Sequence, residues 1–264
     1  LSIRRQRQMC IRDRTHIATT PETRPVDPDA WEEPQKILVV LAHPDDPEFF
    51  CGATLARWAQ AGHHIAYWLL TCGDKGTADR ALTSEQLCTI RHREQQMAAA
   101  ELGVEQVNFL NYPDGYLVAD IQLRRDITRI IRREGPDVLV TCDPKTLYIG
   151  DNRLNHPDHR AAGQAALDAV YPAARDHLNF PELWEQENLE PHNVREVWIS
   201  GTLEPNVCLD VTDLWGTKIK AILHHQSQIG DPEAMIERMR SRTAPGSSPD
   251  RPRYEEVFRR IILP

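Results

Sequence analysis

KILVVLAHPDDPEFFCG, residues 36–52, decides the fold, because an apolar run passes directly into a cluster of charged residues. The run KILVVLA, residues 36–42, is apolar after its first residue, which is typical of a strand buried on both faces of a parallel sheet. His43, Asp45 and Asp46 follow at once. Because ligands bind beyond the carboxyl ends of such strands, these side chains are candidates for a functional site.

Strands and helices alternate along the rest of the chain. Pro44 and Pro47 are expected to keep the first loop from becoming helical. Further strands are predicted at residues 64–71, 107–112, 137–143, 196–201 and 206–211, and helices at residues 52–62, 83–103, 121–134, 160–171, 212–228 and 232–242. This alternation predicts an α/β fold: a single doubly wound, mostly parallel, Rossmann-like sheet with helices on both faces.

Helix ends are marked by capping residues. Thr83, followed three residues later by Gln86, predicts a capping box at the start of the second long helix. Thr212 or Asp213 is expected to cap the helix over 212–228. Residues 244–252 are expected to be a flexible segment that leads into a short apolar end.

Composition limits the classes of protein to consider. The chain has 264 residues, 41% apolar content and a net charge of −8, which suits one sizeable core but not the clustered basic face of a nucleic-acid binder. No apolar run reaches the roughly 18 residues that span a bilayer, and no secretory signal is evident. Residues 1–34 are expected to be a disordered or non-native extension, with residues 1–14 resembling translated adapter sequence. Residues 35–264 would then form one domain.

The cysteines do not form a metal-binding pattern. None of the six lies in a CxxC pair, and several stand in apolar stretches. We expect buried, reduced thiols, which indicates a cytoplasmic location.

A second cluster follows the fourth predicted strand. His156, Asp158 and His159 stand just before a predicted helix. Either cluster alone could be a turn or a helix cap. Because strands one and four flank the point where the strand order reverses in a doubly wound sheet, both clusters are expected to face one crevice.

Imidazoles and carboxylates together favour a metal site. Catalytic zinc takes three protein ligands and keeps one position open, where a bound water becomes acidic enough to act as hydroxide near neutral pH. A spare carboxylate could accept a proton there. The same donors also accept other divalent ions such as Fe²⁺.

The two motifs, AHPDD at 42–46 and HPDH at 156–159, resemble those of the PIG-L/LmbE-like zinc-dependent de-N-acetylases, a resemblance that covers about residues 36–230. The resemblance implies that His43, Asp46 and His159 are the zinc ligands. It also implies that Asp45 is the general base.

Other site residues are implied by the same resemblance. His156 would stabilise the oxyanion and act as general acid, and Asp158 would orient neighbouring groups. Four residues would bind the sugar: Arg91 in an Arg-x-x-Glu helix, Asp114 in NYPDG, Asp74 where the family has Glu, and Tyr148 on a loop. His225 and Gln228 are expected to be structural.

The resemblance is strongest to the diacetylchitobiose-deacetylase-like branch, which implies a trimer or hexamer. The expected function is hydrolysis of the acetamide of an N-acetylglucosamine-type sugar or its glycoside by zinc-activated water. Two alternatives stay open: a zinc amidohydrolase that acts on a non-sugar N-acyl compound, and a non-catalytic sugar-binding relative. A dinucleotide-dependent oxidoreductase is disfavoured, because the first loop lacks GxGxxG and its carboxylates would repel phosphate.

Overall fold

Seven strands form one sheet in the computed structural model, which describes residues 31–264. Residues 1–30 of the expected N-terminal extension therefore lie outside the described residues. Trp31 falls within that expected extension but packs on Trp58 and Trp198, with ring centroids 5.3 and 6.0 Å away. The folded part thus includes residues before the expected boundary at 35.

The first half of the chain alternates strictly between strand and helix. Its elements are β1 Lys36–Leu41, α1 Asp46–Gln60, β2 His64–Thr71, α2 Ser84–Glu101, β3 Gln106–Tyr112, α3 Ile121–Glu134 and β4 Val138–Cys142. A short hairpin of β5 Tyr148–Ile149 and β6 Arg153–Leu154 then leads to α4 Pro157–Asp168, which continues into a π-helical turn, Ala169–Ala174.

The second half completes the sheet. Its elements are α5 Glu182–Glu185, β7 Glu196–Ser200, β8 Val207–Asp210, a 3₁₀ turn Thr212–Leu214, α6 Trp215–Leu223, α7 Pro232–Arg240 and β9 Glu255–Ile262. Helices α1, α2 and α6 pack together as one group, and α3 and α4 pack as another.

The strand order is β3-β2-β1-β4-β7-β9-β8. All neighbours from β3 to β7 pair in parallel, whereas β9 runs antiparallel to both β7 and β8. The predicted mostly parallel α/β sheet is confirmed. Strand β1 lies between β2 and β4 and is buried, with Val39, Val40 and Leu41 fully shielded from solvent.

Three local predictions were wrong. Helix α1 begins at Asp46 rather than residue 52, because Pro47 lies in its first turn, where the absence of a backbone N–H costs nothing. Helix α6 ends at Leu223, and neither Thr212 nor Asp213 caps it, because both lie in the 3₁₀ turn before it and Leu214 is its N-cap residue. The short apolar end of the chain forms a strand of the sheet, β9, which was not predicted.

The cysteine prediction was also wrong in part. Cys72, just after β2, and Cys88, on α2, form a disulfide with Cα atoms 5.1 Å apart. The sequence separates them by 16 residues, so the tertiary fold, and not a local pattern, brings them together. Cys51 and Cys142 are free and buried, as expected, and Cys208 is free and half-buried. Cys10 lies outside the described residues.

None of the helices described between residues 31 and 264 is long and apolar enough to cross a membrane.

Candidate active site

The two predicted clusters lie at the same edge of the sheet. One follows β1 and the other follows the hairpin after β4, and β1 and β4 are parallel neighbours. A pocket of about 530 Å³ opens there. Its wall includes His43, Asp45, Asp46, Asp114, His156 and His159.

The donor atoms of three residues converge in this pocket. His43 Nδ1 lies 3.2 Å from His159 Nε2, and Asp46 lies 3.5 Å from the first through Oδ2 and 3.0 Å from the second through Oδ1. Tetrahedral zinc with bonds of about 2.0–2.2 Å separates its ligand atoms by about 3.3–3.6 Å. The donor set therefore fits one small divalent ion with only slight adjustment, and these three residues form one of the groups able to hold a metal.

In both histidines, the ring nitrogen that faces away from this cluster has hydrogen-bonding partners of its own. His43 Nε2 lies 3.1 Å from Asp114 Oδ1 and 3.3 Å from Asp158 Oδ2. His159 Nδ1 lies 3.1 Å from Asn155 Oδ1. Carboxylate or carbonyl partners of this kind fix the ring orientation and the tautomer of a metal-binding histidine.

Electrostatics favour a cation at this position. Burial alone would lower the pKa of His43, but hydrogen bonds with Asp114, Asp158 and Asp46 raise it well above its usual range. Burial would raise the pKa of Asp46, but His159 and His43 hold it well below its usual range. Three carboxylates thus surround one imidazole, and a metal ion would neutralise the same negative charge.

His43, Asp114 and His156 form a second group whose donor atoms lie within reach of a metal ion. It shares His43 with the first group. Burial would raise the pKa of Asp114, but the hydrogen bond with His43 lowers it to about 2. Because His43 Nε2 faces this carboxylate and Nδ1 faces Asp46 and His159, Asp114 completes the surroundings of His43 on the side away from the first group.

Asp45 stands in the pocket beside the donor set. Its backbone is left-handed, with φ 95° and ψ −27°, a conformation that is rare for residues other than glycine. Arg91 Nη2 lies 3.3 Å from Asp45 Oδ2. Desolvation raises the pKa of Asp45 to about 6, although the Arg91 charge opposes the rise.

A buried chain of hydrogen bonds begins at the Asp45 backbone. The Asp45 backbone N–H donates to Gln95 Oε1 at 2.8 Å, and Gln95 Nε2 donates to Glu48 Oε1 at 2.9 Å. Glu48 Oε2 lies 3.0 Å from His225 Nε2. Glu48, Gln95 and His225 are all fully shielded from solvent. Gln95 and Glu48 were not among the predicted site residues, because they pair between α2 and α1 and no local sequence pattern marks such a contact.

His156 and Asp158 begin helix α4. His156 is its N-cap residue, and its Nδ1 accepts a hydrogen bond from the Asp158 backbone N–H at 3.2 Å. Burial and the charge of His43 lower the pKa of His156. A neutral ring whose Nδ1 is an acceptor carries its proton on Nε2. The Asp158 carboxylate accepts from the backbone N–H groups of Gly115 and Leu117.

The four predicted sugar contacts lie in different surroundings. Arg91 lines the pocket but is only 3% exposed, and it donates to the carbonyls of Gly73 and Pro44. Asp114 lines the pocket, with one oxygen on His43 and the other accepting from the Lys75 backbone. Asp74 accepts from the Asp114 backbone, and Tyr148 is exposed on the β5–β6 hairpin. Arg91 is therefore placed to hold protein groups, and the sugar contacts stay predictions.

The remaining wall of the pocket is mixed. It carries apolar side chains, Phe49, Phe50, Ile149 and Leu154, and the polar Gln228, whose side chain donates to the Gly76 carbonyl. His225 is buried on Glu48 outside the wall. Phe50 contacts His159 edge to face, with ring centroids 5.3 Å apart.

Comparisons with known proteins give consistent matches. Residues 38–170 match the PIG-L family, described as GlcNAc-PI de-N-acetylase. The diacetylchitobiose deacetylase of Thermococcus kodakarensis is 32% identical over 200 residues, which cover 76% of this chain and 72% of that protein. The 1D-myo-inositol 2-acetamido-2-deoxy-alpha-D-glucopyranoside deacetylase of Streptomyces griseus is 33% identical over 165 residues, covering 53% of this chain and 50% of that protein.

A solved structure matches as well. The N,N'-diacetylchitobiose deacetylase from Pyrococcus horikoshii, complexed with its inhibitor MPG, has a TM-score of 0.77 and 31% identity. The match covers 86% of this chain and 84% of that one.

Proposed function

The chain belongs to the PIG-L family of de-N-acetylases, and from this premise we propose that it removes the acetyl group from an N-acetylglucosamine-type sugar or its glycoside. Relatives named for diacetylchitobiose and for an inositol acetamido-glucopyranoside support this substrate class. One observation carries the proposal: the donor atoms of His43, Asp46 and His159 converge in the same pocket as Asp45.

We propose zinc as the ion. Two imidazoles and one carboxylate are a donor set of catalytic zinc, although Fe²⁺ accepts the same donors. When bound, a zinc ion supplies Lewis acidity toward the acetamide carbonyl and makes a coordinated water more acidic. His43, Asp46 and His159 would hold it, while Asp114, Asp158 and Asn155 fix the two rings.

Asp45 is proposed as the general base. The pKa of Asp45 is raised to about 6, so its carboxylate accepts a proton from water more readily than an ordinary aspartate does. Near neutral pH the Asp45 carboxylate is still mostly ionised. The Arg91 guanidinium holds the carboxylate in one orientation. We therefore assign Arg91 to the positioning of Asp45 in addition to any sugar contact.

His156 is proposed to donate hydrogen bonds to the substrate. Its Nδ1 is engaged with the α4 backbone, which leaves Nε2–H as a donor toward the acetamide oxygen. The general-acid role implied by the family resemblance needs a protonated ring, whereas the lowered pKa of His156 favours a neutral one before substrate binds. Proton transfer to the leaving amine would then come from Asp45, after it has taken the proton of the attacking water, or from a His156 that is protonated in the complex.

We propose that the sugar enters beside Asp114, with Tyr148 on the hairpin above it. Asp74 is proposed to act through Asp114, since its carboxylate accepts from the Asp114 backbone. The expected trimer or hexamer stays a prediction from the family resemblance.

The proposal predicts a separation between metal binding and turnover. Asp45→Asn should lower kcat by at least about 100-fold and keep the bound metal, because it removes the base but no proposed ligand. His159→Ala should lose both metal and turnover. Acetate release from N-acetylglucosamine and diacetylchitobiose, together with metal content by mass spectrometry, measures both quantities. Chelator should abolish turnover, and added zinc should restore it.

Controls separate this proposal from its alternatives. Asp250→Asn makes the same change on an exposed turn and should leave kcat and metal content unchanged. Full activity of Asp45→Asn with metal bound would show that another group is the base. Metal-dependent turnover of an N-acyl amino acid but of no sugar would favour the non-sugar amidohydrolase. Metal binding without turnover of any amide would favour the binding protein.

A further inference from the structure

Three arginines besides Arg91 line the same pocket. Arg153 belongs to the β5–β6 hairpin, Arg238 to helix α7, and Arg242 to the turn after it. The hairpin and helix α7 are separated by about 80 positions in sequence, so their meeting at the pocket is produced by the fold and not by a local basic run.

None of the three guanidinium groups has an acidic partner among residues 31–264. Within residues 31–264, eighteen ion pairs join Lys, Arg or His to a carboxylate, and none includes Arg153, Arg238 or Arg242. The chain contains 39 acidic residues against 31 basic ones, so acidic partners are not scarce. Within the described part of the chain, these three pocket-lining charges therefore have no acidic counterpart.

The three charges also act on one another. Although the Arg242 side chain is exposed, partial desolvation lowers its pKa, and the positive charges of Arg238 and Arg153 lower it further. Like charges held close together raise the energy of the free protein, and an anion placed among them would lower it. Arginine is moreover the side chain best suited to carboxylates and phosphates, because its planar donors bind two oxygens at once.

We propose that Arg153, Arg238 and Arg242 form a subsite for an anionic group, a carboxylate or a phosphate, carried by the N-acetylated substrate. This inference rests on the proposed function and extends it. The pocket of about 530 Å³ is large enough for a sugar and a small substituent. The acetamide would lie at the donor set of His43, Asp46 and His159 while the anion lies at the arginines. The physiological substrate would then be an acidic sugar derivative rather than a neutral oligosaccharide.

Matched substrates test this subsite. The carboxymethyl glycoside of N-acetylglucosamine and its methyl ester differ by one charge, and N-acetylglucosamine 6-phosphate is compared with N-acetylglucosamine. We expect kcat/KM to be about tenfold or more higher for at least one anion than for its neutral counterpart, mainly through KM. The pair with the larger ratio shows whether the anion is carried by the aglycone or by the ring. Because the arginines are exposed, the ratio should fall as salt is raised.

Variants assign the effect to these residues. Arg153→Gln, Arg238→Gln and Arg242→Gln should each reduce the anion-to-neutral ratio severalfold, and the triple variant should bring it close to one. Arg240→Gln removes the same charge from the same helix but outside the pocket, and should leave the ratio unchanged.

The outcomes separate the subsite from the proposed function. If neutral sugars are hydrolysed and neither anion is preferred, or if the triple variant keeps the preference, the subsite is wrong while the deacetylase proposal stands. If no sugar of either kind is hydrolysed by the metal-loaded enzyme, the proposed function fails. Binding of N-acetylglucosamine 6-phosphate, measured by calorimetry on the wild type and the triple variant, tests the subsite independently of turnover.

Discussion

Asp45 adopts a left-handed backbone that its side chain alone would not favour, and the surrounding hydrogen bonds maintain it. The Gln95 side chain accepts from the Asp45 N–H and donates to Glu48, so it satisfies two buried groups at once. The conformation turns the Asp45 carboxylate toward Arg91 and the pocket. Gln95 is therefore a positioning residue for the proposed base.

Gln95→Met should lower kcat about tenfold or more while metal content stays unchanged. The substitution leaves the Asp45 N–H and a Glu48 oxygen without partners, each at a cost of about 1–3 kcal/mol, and the loop can relieve this cost by leaving its strained geometry. Steady-state kinetics at a temperature well below unfolding, with metal analysis, provide the measurement. Gln96→Met changes the adjacent, exposed residue and should behave as wild type. Wild-type kcat in Gln95→Met would rule out this positioning role.

At the scale of elements, helix α4 owes its position to a close approach to β4. A Cβ atom on Gly163 would lie 2.1 Å from the Cys142 carbonyl oxygen, a distance that real structures do not show. The same helix begins with His156 and carries His159. The small residue thus sets how deeply the second motif reaches into the pocket.

Gly163→Ala should therefore push α4 away from β4, and we expect metal affinity to fall at least about tenfold. Metal titration and unfolding curves measure this effect. Gly216→Ala is the matched control, because Gly216 is also helical and no atom lies within 4 Å of a Cβ added there. Alanine has a higher helix propensity than glycine, so this substitution should raise stability by up to about 1 kcal/mol. Equal metal affinity in Gly163→Ala and wild type would refute the argument.

Helices and strands with strong local signals were predictable from sequence. The capping box of Thr83 and Gln86 is present, and the parallel strands end where the apolar runs end. The start of α1 was misplaced because Pro47 is compatible with a first helical turn. The pairings Gln95–Glu48 and Cys72–Cys88, and the approach of Gly163 to Cys142, depend on tertiary packing, and no local pattern encodes them.

At the scale of the whole molecule, the end of the chain supports the helix that follows the first motif. Helix α1 is interrupted at Cys51, which has non-helical φ −147° and ψ 21°. The interruption frees the N–H groups of Ala53 and Thr54, and both donate to the Glu256 carboxylate on β9 at 3.2 and 2.8 Å. Lys218 on α6 donates to Glu256 and to the Phe49 carbonyl. Three distant segments thus meet at one buried ion pair.

Lys218→Met should lower the free energy of unfolding by about 3–5 kcal/mol, because it leaves the Glu256 carboxylate buried without a counter-charge. Urea denaturation followed by tryptophan fluorescence measures the change. Lys220→Met makes the same substitution on the exposed side of α6, where Lys220 lies 3.8 Å from Glu101. It should change stability by no more than about 0.5 kcal/mol.

The double variant Lys218→Met with Glu256→Gln decides whether the loss comes from the unpaired charge or from altered packing. Glutamine keeps an oxygen that can accept from one of the α1 N–H groups and removes the buried charge. The double variant should therefore recover more than half of the stability lost in Lys218→Met. If the losses in unfolding free energy of Lys218→Met and Glu256→Gln simply add in the double variant, the defect lies in the packing around Lys218. Strand β9 would then support α1 by packing contacts alone. Recovery would show that the charge of Lys218 is required because the Glu256 carboxylate is buried where it accepts from the interrupted part of α1. The ion pair would then connect strand β9 to the helix that begins at Asp46.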